Sequence, residues 1–259
     1  MLYYPKNNTK LKTLRMAEKA PSISIITATY NAAEHLPGLI ESVRQQTDKD
    51  FEWIVIDGGS QDGTVDIIES ARDVITDYIS ERDHGIYDAL NKGIKRCKTD
   101  YYLVLGADDR LEPDAVKIYK THTQKYDNPD IIVAYVKTDN NTVVKPRKWL
   151  SFLYGPWCLF TSHSVGTLVR RSLHEEYGFY SYAYPIGADA EFLGKVMSRN
   201  KYVTMPVIAG TYNTKGASSK NKIKFFIDQF LIKKSIFPNF KPFYFMMLLL
   251  RLIKYYKVI

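Results

Sequence analysis

The chain has 259 residues, 45% of them hydrophobic, which suits one domain with an appendage and an ample core. Its formal charge is +8, but from Lys215 onward ten Lys/Arg face a single Asp, a net +9, while the first 214 residues hold 26 basic and 27 acidic groups. Basicity confined to a tail excludes a general nucleic-acid-binding surface, and two distant cysteines, Cys97 and Cys158, exclude a disulfide framework and point to a reducing compartment.

Residues 1–20 are polar, lack the apolar run of a secretory signal, and read as a loose arm or one short helix. Residues 22–28 (SISIITA) read as the first strand. Asn31 with Glu34 has the spacing of a capping box, and Leu36, Leu39, Ile40 and Val43 then share one helical face. A second buried strand is expected at 51–57 (FEWIVID), a turn at 58–63 and a helix at 64–72. A short strand at 75–80 and a helix at 86–97 come next. The run 101–105 is apolar enough to be buried on both faces, as in a parallel sheet. It leads into Asp108 and Asp109, then a helix over 112–126 and a strand over 131–136. This alternation predicts an α/β three-layer sandwich with a mainly parallel sheet.

The second half is less regular. Residues 145–165 are aromatic and loop-like, 187–198 read as a helix and 202–209 as a strand. A Gly/Ser-rich basic loop spans 211–221. Residues 222–257 read as two helices separated by Pro238 and Pro242. The expected division is an arm at 1–20, a main domain at 21–214 and a basic amphipathic extension at 215–259.

Three strand ends carry polar groups: Thr29-Tyr30-Asn31, Asp57-Gly58-Gly59-Ser60 and Asp108-Asp109. Ligands of open α/β sheets bind beyond the carboxyl ends of strands, so these ends would line one crevice. A Tyr stacks on a flat base, an Asp accepts hydrogen bonds from a base imide or ribose hydroxyls, and glycine admits close backbone approach. Two adjacent carboxylates repel unless a cation sits between them, and a divalent metal carrying a diphosphate meets that need. The plain alternative is a surface Asp-Asp turn. A Gly-x-Gly-x-x-Gly dinucleotide fingerprint after the first strand is absent.

The stretches SIITATYN (24–31), IDGGSQDGT (56–64), DHGIYDALNKGI (83–94) and LGADDRLEP (105–113) resemble family 2 of the inverting glycosyltransferases, with their GT-A (Rossmann-like) fold. HSVGTLVRRSL (163–173) and GADAEFLGKV (187–196) continue the match, which runs over roughly 21–214. The stretch at 83–94 looks most like the branch that builds bacterial surface polysaccharides. The resemblance implies a nucleotide-diphospho-sugar donor, UDP-linked, and transfer of a hexose or N-acetylhexosamine to a glycan or lipid-linked hydroxyl. It implies that Ala28 and Tyr30 shape the base pocket and that Asp57 and Asp83 hold base and ribose. Asp108 would lie near the ribose, and Asp109 would bind Mg²⁺ or Mn²⁺ at the diphosphate. Many relatives carry a second Asp where this chain has Gly58, a departure that bears on the choice of nucleotide.

Asp189 falls where the family carries the base that deprotonates the acceptor hydroxyl; a helix-terminal carboxylate favoured by the dipole is the alternative. Glu191, on a different helical face, ranks second. His163 either contacts the diphosphate or acceptor or is a packing histidine. Lys92 either neutralises phosphate or is a solvated helix lysine. The 212–219 loop matches a region that closes over the donor, with Gly216 as hinge.

The tail's longest apolar run, 243–250, is broken by Arg251 and falls far short of the ~20 residues that span a bilayer. Basic residues beside aromatic and aliphatic ones fit a helix lying in an anionic membrane interface, at the inner face of the cell membrane. Packing of its apolar face on the catalytic domain or on a second subunit is the alternative. Two rival functions differ in class. A nucleotidyltransferase making the sugar nucleotide would want a Gly-rich basic loop after the first strand, and TATYNAAEHLP has none. A non-catalytic membrane-associated nucleotide-sugar-binding protein could dispense with Asp189.

Overall fold

The computed structural model describes residues 21–146, 163–214, 222–236 and 241–256. Its centre is β1 (Ile23–Thr29), flanked in parallel by β2 (Glu52–Asp57) and β4 (Tyr101–Val104), with β3 (Asp77–Ser80) parallel beyond β2. The other strands are β5 (Arg110–Leu111), β6 (Ile131–Thr138), β7 (Val143–Val144), β8 (Thr167–Arg170) and β9 (Tyr202–Tyr212). They form one sheet in the order β3-β2-β1-β4-β8-β6-β9-β5, with β7 on β6. Pairing is antiparallel where β8 enters between β4 and β6, and parallel again between β6 and β9. The sheet reverses its direction of growth between β1 and β4, the switch point at which open α/β sheets take ligands.

The central strands are apolar on both faces because both are covered. Trp53 and Val55 of β2 pack into one core with Leu36, Leu39, Ile40 and Val43 of α1 (Leu36–Arg44), Ile68 of α2 (Thr64–Ser70), and Val116 and Tyr119 of α4 (Ala115–Lys125). Ile54 and Ile56 face the opposite core. It holds Leu90 and Ile94 of α3 (Ile86–Arg96), Leu173 of α5 (Leu173–Tyr177), and Phe192 and Val196 of α6 (Ala188–Met197). Each buried Leu, Ile, Val or Phe contributes roughly 1.5–3 kcal/mol. The result is the three-layer α/β sandwich that the alternation predicts.

Several local expectations need correcting. Asn31 does not cap α1, whose N-cap is His35 without a side-chain cap bond. Asn31 instead has φ 45°, and its side-chain Oδ1 accepts from the Gln61 N–H. The helix expected from 112 starts at Ala115, because Arg110–Leu111 pair with β9 and pull the chain into the sheet first. The 3₁₀ turn Ser164–Gly166 and helix α5 were not foreseen. Pro242 does not separate the tail helices. It lies in the first turn of α8 (Lys241–Tyr256), where a missing N–H breaks no helical bond. The arm at 1–20, Cys158, Gly216 and Pro238 lie outside the described residues.

The first tail helix, α7 (Lys222–Ile236), docks on the main body. The Asp228 carboxylate accepts the Ile186 N–H at 3.0 Å, and fully buried Ile232 lies against Gly187, where an added Cβ would come within 2.9 Å of its Cδ1.

Candidate active site

The ends of β1 and β2 are laced together by the polar residues of the 56–64 stretch. The buried Asp57 carboxylate accepts from the Thr29 hydroxyl at 2.9 Å, the Ser80 hydroxyl at 2.7 Å, the Gly59 and Ser60 N–H groups and the Ser60 hydroxyl. Burial alone would push this carboxyl up, but the donors from Ser60, Ser80 and Thr29 outweigh it and hold Asp57 below the usual range. Ser60 accepts the Asn31 N–H, Asp62 the Ala33 N–H, and Thr64 the Ala32 N–H. The chain after β1 therefore has little freedom, and Gly59 supplies the φ of +82° that the turn requires.

Tyr30 stands at the end of β1, 68% exposed. An added Cβ at Gly58 would lie 3.3 Å from its ring and 2.7 Å from the Asp83 carboxylate, so Tyr30, Gly58 and Asp83 share one corner. The Asp83 carboxylate fills the space that a side chain at position 58 would claim. Its other oxygen accepts the Gly85 N–H at 2.9 Å. Ala28, one residue inside the strand end, packs against the α3-side core.

At the end of β4, Asp108 and Asp109 gather over Gly106. A Cβ there would lie 3.1 Å from an Asp108 oxygen and 3.3 Å from an Asp109 oxygen. Asp109 is 1% exposed and accepts only the Gly106 N–H, at 2.7 Å, among its recorded hydrogen bonds. Burial pushes its carboxyl up to about 6. His163 and the Gly106 N–H oppose that rise, and the Asp108 charge adds to it. The His163 Nδ1 lies 3.8 Å from Asp109, and its ring stacks on Tyr212 at 4.5 Å. Thus His163 belongs to the Asp109 corner and also packs. Two adjacent carboxylates are side chains of the type that could bind a hard divalent cation, but among the described residues no group of three or more His, Cys, Asp and Glu is placed to hold a metal ion.

The half-exposed Asp189, in the first turn of α6, accepts a hydrogen bond from the Tyr87 hydroxyl at 2.7 Å. Burial first, then the Asp189 charge, raises the Tyr87 phenol well above its ordinary value, so it stays a donor. Other polar residues of α3 hold the segment that leads to Asp189. Asn91 exchanges two hydrogen bonds of 2.9 Å with the Tyr180 backbone, and Asp88 accepts the Tyr182 hydroxyl at 3.0 Å. Behind them lies a buried relay. The His174 Nδ1 bonds the Gly178 carbonyl, so its Nε2 accepts from Tyr102, which in turn accepts from Tyr180. Burial pushes His174 down to about 4 and keeps it neutral.

Two expected residues are engaged elsewhere. Lys92 pairs with Glu81 at 2.8 Å and Asp88 at 3.4 Å, as in the alternative of a helix lysine. Glu191 is buried and paired with Lys195 one turn on, and an ion-paired carboxylate is a weaker base than a free one. Tyr87, Asp88 and Asn91 were not singled out from the sequence. They lie within the 83–94 stretch that carries the family resemblance, and Tyr87 and Asn91 have the i, i+4 spacing of the buried face of α3. Of the 212–219 loop, residues 212–214 are described, and Thr214 bonds Asp139.

The family model of glycosyl transferase family 2 matches residues 24–183. PGL/p-HBAD biosynthesis glycosyltransferases of Mycobacterium tuberculosis and Mycobacterium bovis are 31% identical over 212 residues, covering 77% of this chain and 80% of theirs. Escherichia coli chondroitin synthase is 29% identical over 63% of this chain, which spans only 23% of that protein. Among solved structures, a 1–349 fragment of S. aureus TarS in complex with UDP-GlcNAc superposes with a TM-score of 0.66 at 16% identity, over 82% of this chain and 65% of that one. A longer S. aureus TarS chain is matched over 39% of its length. The Pyrobaculum calidifontis mannosyltransferase PcManGT, in complex with GDP-Man and Mn²⁺, superposes with a TM-score of 0.63 at 19% identity, over 87% of this chain and 68% of that one. At these identities the superpositions establish the GT-A architecture.

Proposed function

This chain belongs to glycosyl transferase family 2, and from that premise we propose that it transfers a sugar from a nucleotide diphosphate, with inversion, to a hydroxyl of a glycan or lipid-linked acceptor. The setting is bacterial surface polysaccharide (capsule, O-antigen or exopolysaccharide) synthesis on the cytoplasmic side of the membrane. One observation carries the reading. A fully buried carboxylate, Asp109, stands beside Asp108 after β4 at the sheet's switch point with a single backbone donor, while Tyr30 and Asp83 share a corner over Gly58 beyond β1 and β2.

Tyr30 stacks on the base, UDP being the nucleotide favoured, and Asp83 takes base or ribose hydroxyls. Asp57 acts by aligning the Gly59–Ser60 turn and the end of β1. Asp109, with Asp108 and His163 beside it, would hold Mg²⁺ or Mn²⁺ at the diphosphate. When bound, such an ion neutralises charge on the departing diphosphate. Asp189 takes the proton of the acceptor hydroxyl as its oxygen bonds to the anomeric carbon. The bond from that carbon to the diphosphate breaks, and its electron pair leaves with the nucleotide. Tyr87 is a positioning residue, fixing the Asp189 carboxylate through the 2.7 Å hydrogen bond.

The test is turnover over a panel of nucleotide sugars with Mg²⁺, Mn²⁺ or chelator. Asp189→Asn is expected to keep donor affinity and lose turnover by about 10²–10⁴-fold. Tyr87→Phe should lower kcat far less, with donor KM unchanged. Wild-type turnover from Asp189→Asn would favour a base elsewhere, and a wild type that binds donor without turnover would favour the non-catalytic reading.

A further inference from the structure

We propose that the outer faces of α7 and α8 form an interfacial docking surface for an anionic lipid bilayer. The two helices meet along a seam lined by Phe226, Phe230, Tyr244, Met247 and Leu248, with Arg251 over the Phe226 ring. Outside that seam, α7 exposes Ile223, Ile227 and Leu231, a strict i, i+4, i+8 row. On α8, Phe245, Leu249 and Ile253 form a second such row, with Met246 and Leu250 beside it, all 46–59% exposed. Five large apolar side chains on one helix face exceed the scattered exposure normal for a surface.

Charge identifies the occupant. Lys224, Lys234 and Lys254 are exposed on the same helices, and the one acidic side chain, Asp228, is buried on the Ile186 N–H. A second copy of the chain would bring two positive, acid-free surfaces together. An anionic lipid surface accepts the lysines and the apolar rows at once. Neither helix spans a bilayer, since α7 has 15 residues and α8 has 16, and among the described residues no helix is long and apolar enough to cross a membrane.

The contact reaches the site. Ile186 and Gly187, which α7 holds through Asp228 and Ile232, immediately precede α6 and Asp189. A docked helix pair therefore anchors the segment carrying the proposed base at the lipid surface, which suits a lipid-linked acceptor. The acceptor rests on the glycosyl-transfer reading, whereas surface binding does not.

The test is sedimentation of the full chain with phosphatidylcholine vesicles, with and without 30 mol% phosphatidylglycerol, beside sedimentation velocity of the protein alone. Binding to the anionic vesicles is expected, falling with added salt. Lys224→Gln, Lys234→Gln and Lys254→Gln should each weaken it about fivefold at low salt. Leu249→Glu/Leu250→Glu should abolish it while the thermal melt and lipid-free donor turnover stay unchanged. Absence of vesicle binding by the intact chain, or full binding by the Leu249→Glu/Leu250→Glu variant, overturns the proposal. So does a dimer that this variant dissociates in a chain that ignores vesicles. Vesicle binding without turnover on any nucleotide sugar would leave the surface standing and remove the functional reading.

Discussion

Asp57 ends β2 and Asp109 lies in the turn after β4, on the two sides of β1, and both are buried, yet their surroundings are opposite. Asp57 receives hydroxyl and N–H donors from Thr29, Gly59, Ser60 and Ser80, and its carboxyl sits below the ordinary range. Asp109 receives one backbone N–H, and its carboxyl rises to about 6. A carboxylate buried with its lone pairs filled is scaffold, because the protein itself has replaced water. One buried with lone pairs spare lacks a counter-charge, which on the proposed reading a divalent ion would supply. The same contrast separates the two halves of the crevice from the 83–94 stretch, where Tyr87, Asp88, Asn91 and Lys92 all find partners within the protein.

The sharpest way to break the comparison is Asp109→Asn. It should cut metal-dependent turnover by about 10³-fold, the loss expected when an ion's charge stabilisation of a leaving group is removed. Steady-state kinetics at saturating donor measure it, and near-normal turnover would put the counter-charge elsewhere.

Next in size is Asp57→Ala. It strands several donors in a buried turn, and at ~1–3 kcal/mol for each unsatisfied group not rescued by water the fold should lose about 2–4 kcal/mol. Urea denaturation measures this. A variant with unchanged stability and a raised donor KM would make Asp57 a ligand contact instead of scaffold.

The smallest effect is in pH. Asp109 has a raised folded value, so its contribution to stability is present below the unfolded value of 3.8 and is lost as pH rises through about 6. Asp57 has a lowered value, so its contribution is present above 3.8 and is lost as pH falls below it. His174, lowered to about 4, stabilises above 6.5 and loses that contribution as pH falls towards 4, so wild type alone mixes opposing slopes. The difference between Asp109→Asn and wild type removes His174. In chelator it should move in favour of the variant by up to about 3 kcal/mol between pH 4 and pH 8. A difference that does not change with pH would mean that Asp109 is already balanced.

Much of the architecture was legible locally. Runs apolar at every position, such as 101–105, announce strands covered on both faces, and turn residues punctuate them. The Asp108–Asp109 step and Tyr30 could be picked out because their chemistry is unusual at a strand end. Other assignments failed for reasons a linear pattern does not carry. Asn31 looks like a cap until Gln61 and Ser60, some 30 residues on, arrive beside it. Lys92 and Glu191 look like free charges until Glu81 and Lys195 are in place, although an i, i+4 partner was readable for each, Asp88 for Lys92 and Lys195 for Glu191.

The sequence by itself determined the β–α alternation of the first half and the polar strand ends at Tyr30, Asp57 and Asp108–Asp109, since periodicity and side-chain chemistry are properties of short windows. Tertiary structure alone decided which carboxylates are spent and which remain available. It set Tyr87 on Asp189 from 102 residues away, put β8 between β4 and β6, and pressed α7 against Gly187. Hydrogen-bond satisfaction and burial depend on what the rest of the chain brings to a point in space, and no local spacing encodes that.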